Sequence, residues 1–412
     1  MEVLPLFYKK KVKKVIPLKL TQLYLILCMM AMGLNACLEK HHDGTQQKNI
    51  RTPGDSLFSI IWNSADSILL SAPKGELLLA GFPYMIHSRI YYLENISSQI
   101  KIFELNGQYI SSFGGVGEAP GLAQAGYGEV FEAGDGVGVI DHIMSYISYF
   151  DDDGIFKKRV YLHQYQPHQP LWNSEIDGSH LALVEPPYYS GINTEQFFIP
   201  TRLYWEYLTP TPEREKDYLI TKFNPKGKLL NSFANYPKKF QNRHLEHAQR
   251  HYIYVHQDYV YLSIEASPSI QVFSHDGQWI KNMGQAGKYE HIGEDPLLFE
   301  TKYANDLWNH RFASTLYGEM FSPSGFPSSL FRFYRGKLRY QPDAIMDVWD
   351  KPLFMQYYYR DSLIEESPID PRFKQYIGQD SKTRRILFRA KYEESDRGSC
   401  KIYFLTYLAD IN

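Results

Sequence analysis

From Gln99 to Phe103 the chain alternates in a β-prone run, breaks at Leu105, Asn106 and Gly107, and resumes a β-prone run from Gln108 to Phe113. This pattern predicts a hairpin, with Asn-Gly supplying the positive φ angles of a tight turn. It returns 170 residues later. Eight positions agree in kind at that one offset: Ile100/Ile270, Phe103/Phe273, Gly107/Gly277, Gln108/Gln278, Tyr109/Trp279, Ile110/Ile280, Gly114/Gly284 and Gly117/Gly287. Unrelated hairpins sharing turn chemistry would not keep a common register over so many positions.

A shorter form of the layout, an isoleucine, a phenylalanine three further on and a glycine four beyond that, recurs at Ile147, Phe150 and Gly154 and at Ile220, Phe223 and Gly227. The turn glycines Gly107, Gly154, Gly227 and Gly277 are therefore 47, 73 and 50 residues apart. Two of the intervals fit a four-stranded propeller blade of about 40–50 residues, and the long one predicts an insertion. Upstream of these hairpins lie further apolar runs, Arg89 to Leu93, Gly136 to Ile140, His180 to Val184 and Tyr259 to Leu262, which read as inner strands. Later runs are more degenerate: Leu330 to Phe333 with Gly336, Leu353 to Tyr359, Arg385 to Lys391 and Lys401 to Tyr407. Four clear units and two weaker ones result. Stacking such units around an axis protects the strand edges that an open sheet would expose. An eight-stranded sandwich and a seven-bladed ring are the alternatives.

The repeated pattern, with the tail Gly114, Gly117, Pro120 and Gly121, resembles NHL-type repeats, and in particular the six-bladed β-propeller lipoproteins of Gram-negative bacteria. The resemblance spans residues 58–408. It implies an all-β, NHL/TolB-like six-bladed β-propeller domain over 58–412, and a fold more than a function.

The N-terminus follows a different pattern. Lys9, Lys10, Lys11, Lys13, Lys14 and Lys19 precede an uncharged apolar run from Leu20 to Leu34, the arrangement of an export signal and short for a bilayer span. The run ends in Leu34, Asn35, Ala36 and Cys37, which resembles the lipobox of bacterial lipoproteins. The resemblance implies a signal peptide over 1–36, lipidation of Cys37, a flexible tether over 37–57 and membrane attachment through the lipid. Leu38 after the cysteine favours the outer membrane. An uncleaved anchor helix is the alternative.

Of Cys28, Cys37 and Cys400, the first leaves with the signal and the second carries lipid, so no intrachain disulfide is expected. Removing residues 1–36 takes six lysines and Glu2 from 44 basic and 46 acidic residues, leaving 38 and 45, a balance of −7. Such a surface has no general attraction for phosphate backbones, and nucleic acid is not expected as a partner.

Candidate chemistry is sparse. His244, His247 and His251, with His256 beyond, would share a face if helical and could then meet a metal, but the segment runs into the β-prone stretch Tyr252 to Val255 and lacks the His-Glu-x-x-His order. Residues 185–216 form an aromatic, proline-rich insertion with Tyr188, Tyr189, Phe197, Phe198, Tyr204, Trp205 and Tyr207; Trp172, His163, Tyr165 and His168 precede it. These rings could stack on sugars or grip a partner, or plug the side of the fold. Tyr188, Tyr189, Tyr204, Trp205 and Trp172 are the ligand-contact candidates. Asp151, Asp152 and Asp153 before Gly154 lack the spaced ligands of a calcium loop and read as a turn. No nucleotide-binding glycine loop, G-x-S-x-G elbow or C-x-x-C pair occurs, and no cofactor is expected. The expectation is a lipid-anchored binding module for a glycan, peptide or envelope protein. The alternative is an extracellular hydrolase or lyase with its site in the central funnel.

Overall fold

The computed structural model describes residues 59–61, 67–162 apart from 75, 125 and 142–145, then 175–176, 179–183, 197–203, 218–238, 250–288 apart from 257, 312, 314–338 apart from 324–325 and 327, 348–390 and 398–408. The signal segment, Cys37 and the tether lie outside the described residues.

The strands build six antiparallel blades of a β-propeller. Two N-terminal strands, β1 (Ser59–Ile61) and β2 (Ser67–Ser71), belong to the last blade. Blade 1 contains β3 (Gly81–Ile86), β4 (Arg89–Glu94), β5 (Gln99–Glu104) and β6 (Tyr109–Gly114); blade 2 contains β7 (Glu129–Ala133), β8 (Gly136–Asp141), β9 (Tyr146–Asp151) and β10 (Phe156–Tyr161). Blade 3 has five strands, β11 (Glu175–Ile176), β12 (Ser179–Leu183), β13 (Phe197–Leu203), β14 (Tyr218–Phe223) and β15 (Leu229–Asn235). Blade 4 is β16 (His251–His256), β17 (Tyr259–Ile264), β18 (Ile270–Ser274) and β19 (Trp279–Met283). Blade 5 is β20 (Leu316–Phe321), β21 (Ser329–Arg335), β22 (Leu353–Tyr359) and β23 (Ser362–Pro368). Blade 6 takes β24 (Phe373–Asp380), β25 (Arg385–Ala390) and β26 (Ser399–Leu408) from the end of the chain, and its outer row, β1 and β2, from the beginning. Ser67–Ser71 pair with Ser399–Tyr403, so the ring is closed by backbone hydrogen bonds between residues more than three hundred positions apart.

The repeated isoleucine and phenylalanine lie on the last strand but one of each of the first four blades, β5, β9, β14 and β18. Their spacing of three is odd, so on a pleated strand they point to opposite faces. Each blade thereby fills the interface on both its sides. Ile100 packs toward blade 2 with Val137, Val139 and Phe150, whereas Phe103 packs toward blade 6 with Ile402 and Phe404. Ile147 and Phe223 meet between blades 2 and 3, and Ile220 and Phe273 between blades 3 and 4. All eight repeated side chains are at most 4% exposed, each worth about 1.5–3 kcal/mol relative to exposure.

The turn glycine has its own reason. Gly107, Gly154, Gly227 and Gly277 adopt φ of 87°, 85°, 78° and 80° between the last two strands of their blades. In each turn two backbone bonds enclose three loop residues, as in Gly107 N–H to Glu104 O at 2.9 Å and Glu104 N–H to Gln108 O at 2.9 Å, with a register shift beside the loop. This is a three-residue loop closed by a glycine bulge, in place of the tight Asn-Gly turn expected from the sequence; Gly107 has positive φ and Asn106 does not. Each glycine also faces the outer strand of the preceding blade. A Cβ would lie 2.7 Å from Leu69 O at Gly107, 2.5 Å from the Phe113 ring at Gly154, 1.9 Å from Tyr161 O at Gly227 and 2.7 Å from the Phe233 ring at Gly277. The repeat visible in the sequence is therefore a contact between blades.

Three of the runs read as inner strands, Arg89–Leu93, Gly136–Ile140 and Tyr259–Leu262, are second strands of their blades, with β3, β7 and β16 lying ahead of β4, β8 and β17; the run from His180 falls on β12, two strands in from β14. Within the stretch taken for an insertion, Phe197–Leu203 is strand β13. Phe197 stacks on Phe223 with centroids 5.6 Å apart, and Phe198 packs edge-on against Phe233 at 6.3 Å, so both rings serve the core.

Candidate functional site

In a four-stranded antiparallel blade the first and third turns lie at one end of the sheet and the second turn at the other. At the first end, blades 4 and 5 part to leave a groove of ≈ 270 Å³. Its blade-4 wall follows from register. Tyr254 pairs with Tyr261 and His256 with Tyr259 across β16 and β17, so four polar-tipped rings share one sheet face. That face continues as Ile270, Val272 and Met283, which pack on Met320, Leu330 and Tyr358 of blade 5. The groove begins where the apolar contact ends.

Blade 5 contributes Ser322 and Ser328 from the β20–β21 connection, Ser329 from the start of β21, and Arg360 and Asp361 from the β22–β23 turn. This turn departs from the glycine pattern. Tyr359 pairs with Ser362 directly, leaving a two-residue loop in which Arg360 and Asp361 have φ of 46° and 69°. Both signs match a type I′ hairpin, unusual for arginine, whose Cβ makes positive φ costly. At four other blade boundaries a glycine presses on the preceding outer strand; here the shorter turn leaves the boundary open. Lys281 of β19 reaches across it to Asp361.

Tyr254 lies parallel to His256 at 5.8 Å, and its hydroxyl is hydrogen-bonded to His256 Nδ1 at 3.3 Å. Tyr261 lies 6.2 Å from Tyr254 and 6.4 Å from Tyr259. Burial pushes the Tyr254 and Tyr261 hydroxyls up to about 12, the Asp361 charge adding to the effect on Tyr261, so both remain neutral donors at physiological pH. Tyr259 is 39% exposed and offers an open ring. Arg360 is exposed, with its guanidinium 5.1 Å from the Tyr359 ring. The arrangement can hold a small polar molecule through ring faces, hydroxyls and one cation.

At the opposite end of the same two blades, Arg250, Glu265, Glu319, Arg335 and Trp349 line a cavity of only ≈ 10 Å³. Burial pushes the Glu319 carboxyl up against the pull of Arg335. Arg335 lies 4.3 Å over the Trp349 ring. That volume suits about one water molecule and no substrate. Between blades 1 and 2, His87 meets Asp152 at 3.0 Å and Glu132 at 3.3 Å, and Arg89 meets Asp153 at 3.0 Å. The three aspartates thus form a hairpin turn that ties two blades, with Asp151 accepting the Ile155 N–H at 2.8 Å.

No protein-family model matches the chain, and no curated protein sequence matches it. Solved structures do. A member of the DUF4221 family from Bacteroides vulgatus aligns with a TM-score of 0.61 at 9% identity, over 85% of this chain and 99% of that one. A proposed exported protein of Bacteroides fragilis aligns with a TM-score of 0.48 at 12% identity, over 86% of this chain and 97% of that one. At such identity the first likeness establishes the propeller fold alone.

Of the candidates read from sequence, Trp172, Tyr188, Tyr189, Tyr204, Trp205, His244 and His247 lie outside the described residues, as do His163, Tyr165, His168 and Tyr207. His251 is a strand residue with no exposed surface, its Nε2 2.8 Å from the Leu219 carbonyl oxygen. The strand begins at His251 itself, so the helical face that would unite the three histidines does not extend to it. Among the described residues no group of three or more His, Cys, Asp or Glu side chains is placed to hold a metal ion. His256 instead lines the groove. The sequence signal for that groove was the alternation Tyr254, His256, Tyr259, Tyr261 across a short hairpin, which puts every second residue on one face.

Proposed function

We propose that this chain is a lipid-anchored, extracytoplasmic binding module of the NHL-like lipoprotein type, which takes a polar ligand of the cell exterior into the groove between blades 4 and 5. The observation carrying this reading is the open boundary itself: tyrosine faces, serine hydroxyls and a two-residue Arg360–Asp361 turn at a place where four other boundaries are sealed by glycine. A concave site with aromatic walls and a few polar groups is the general form of a small-ligand site. The lipobox residues Leu34, Ala36 and Cys37 support attachment to the outer membrane through acyl chains on Cys37, each buried CH₂ contributing about 0.8 kcal/mol.

Two measurements test this. Metabolic labelling with an alkyne fatty acid should mark the protein and fail with Cys37→Ser; equal labelling of both would remove the anchor. Full-length protein in detergent, applied to glycan and peptide arrays, should bind a defined subset, and the pair Tyr259→Ala, Tyr261→Ala should abolish that binding. Retention by the double variant would remove the groove from the function.

A further inference from the structure

Resting on the binding-module reading, we infer that the groove is a subsite for an acidic sugar ring, a pyranose bearing a carboxylate. Four features of the groove carry this. The first is charge: Lys281 is neutralised by Asp361, whereas among the described residues no carboxylate pairs with the Arg360 guanidinium, whose contact is the Tyr359 ring. Its planar fork of donors suits a carboxylate bidentately. The turn that presents it holds an arginine at φ 46°, a conformation that costs free energy at a non-glycine residue. The second is shape. A volume of ≈ 270 Å³ lies just under the roughly 300–1,000 Å³ of common small-molecule clefts, enough for a single sugar ring and too little for a folded protein loop.

The third is the chemistry of the walls. Tyr259 and Tyr261 offer aromatic faces to the C–H side of a pyranose, while Ser328, the tyrosine hydroxyls and Asp361 offer donors and acceptors for ring hydroxyls. The fourth argues against a peptide. The groove is walled by the faces of two blades, and the turn backbone at its rim is already bonded, with Arg360 N–H donating to Ser328 O at 3.0 Å. A peptide could not add as a strand there, which is how extended segments usually gain their backbone hydrogen bonds.

The test is isothermal titration of full-length, detergent-solubilised protein with trimers of galacturonate, glucuronate and mannuronate, the methyl ester of each, and tri-glutamate. At least one acidic trimer should bind, about tenfold or more tighter than its ester, a factor equal to roughly 1.4 kcal/mol. Arg360→Gln should erase that ratio by weakening the acid far more than the ester, and Tyr259→Ala should weaken acid and ester alike. Arg360 is exposed, so the variant should fold, and an unchanged melting temperature checks this; Arg360→Lys should restore part of the ratio. Equal affinity for acid and ester, or an Arg360→Gln variant with the ratio intact, overturns the acidic subsite while leaving a neutral-sugar groove. Arg360-dependent binding of tri-glutamate matching the best trimer overturns the sugar in favour of a peptide. No binding by any acidic trimer at millimolar concentration also overturns the inference. The array experiment then decides separately whether a binding module remains.

Discussion

Gly227 stands so close to Tyr161 of the preceding blade that a Cβ on the glycine would lie 1.9 Å from the Tyr161 carbonyl oxygen. Its φ of 78° disfavours any L side chain as well. Two independent penalties therefore fall on Gly227→Ala, a local conformational cost of about 1–2 kcal/mol and a backbone clash that only movement between blades relieves. The expected loss is on the order of 3 kcal/mol in chemical denaturation. Gly318 is the control, because a Cβ there meets only Phe333 O at 3.6 Å, ordinary contact, and Gly318→Ala should be close to neutral. Equal effects of the two substitutions would show that the glycine contact does not hold the blades together.

A second attachment between blades is Arg332, which has no exposed surface. Its guanidinium donates to Ser263 Oγ at 3.0 and 2.8 Å, to Pro268 O at 2.6 Å and to Ser267 O at 2.7 Å, and lies 4.1 Å over the Tyr317 ring. The side chain starts on β21 of blade 5 and ends on the turn after β17 of blade 4. Arg332→Ala leaves several buried acceptors without their donor and should cost about 3–5 kcal/mol. Arg332→Lys should recover little, since an ammonium cannot reproduce the planar fork. Urea midpoints for the two variants measure this; a lysine variant near wild-type stability would mean that charge alone suffices.

These contacts explain what could be read from the chain. Glycine carries the repeat in blades 1 to 4 because a fixed tertiary contact forbids any other residue, and the isoleucine and phenylalanine carry it because both blade faces are buried. Blade 5 lost the signal when its turn became Arg360–Asp361, and blade 6 has no such turn, because the strand outside β26 comes from the other end of the chain. Their cores are also built differently, from stacked rings such as Phe321 on Phe331 at 5.2 Å and on Tyr376 at 5.0 Å. The ring closure was hidden because Ile68 and Ile402 become neighbours only when the fold completes. The groove was half visible: its tyrosine wall follows from alternation within one hairpin, but Arg360 joins it from another blade.

His87 makes the joint between blades 1 and 2 sensitive to pH. Burial opposes charge on the imidazole, but the hydrogen bond with Asp152 and the charges of Glu132 and Asp152 outweigh it and raise the pKa above 6.5. The folded value exceeds the unfolded one, so this contribution is fully present below about pH 6.5 and disappears as pH rises through the folded value. The carboxylates are 40% and 48% exposed, and solvent screening keeps the effect to about 1 kcal/mol or less. The melting-temperature gap between wild type and His87→Gln should be wider at about pH 5.5 than at about pH 8.5. A gap that is constant, or widens with pH, contradicts the paired imidazolium.

Closure of the ring gives the last test, because it predicts different outcomes for adjacent residues. On β2, Leu70 has no exposed surface and packs with Phe103, Ile402 and Phe404, where blade 6 meets blade 1. Leu69 beside it is 52% exposed and points outward. Leu70→Ala should cost about 2–5 kcal/mol through lost burial and the cavity left behind, whereas Leu69→Ala should stay within about 0.5 kcal/mol. If β2 were only an appended strand, losing its anchor would release a local segment, and hydrogen exchange would rise in β2 alone. Because β2 completes blade 6, Leu70→Ala should instead speed exchange in β26 and β5 together, on both sides of the seam, while blade 3 keeps its protection.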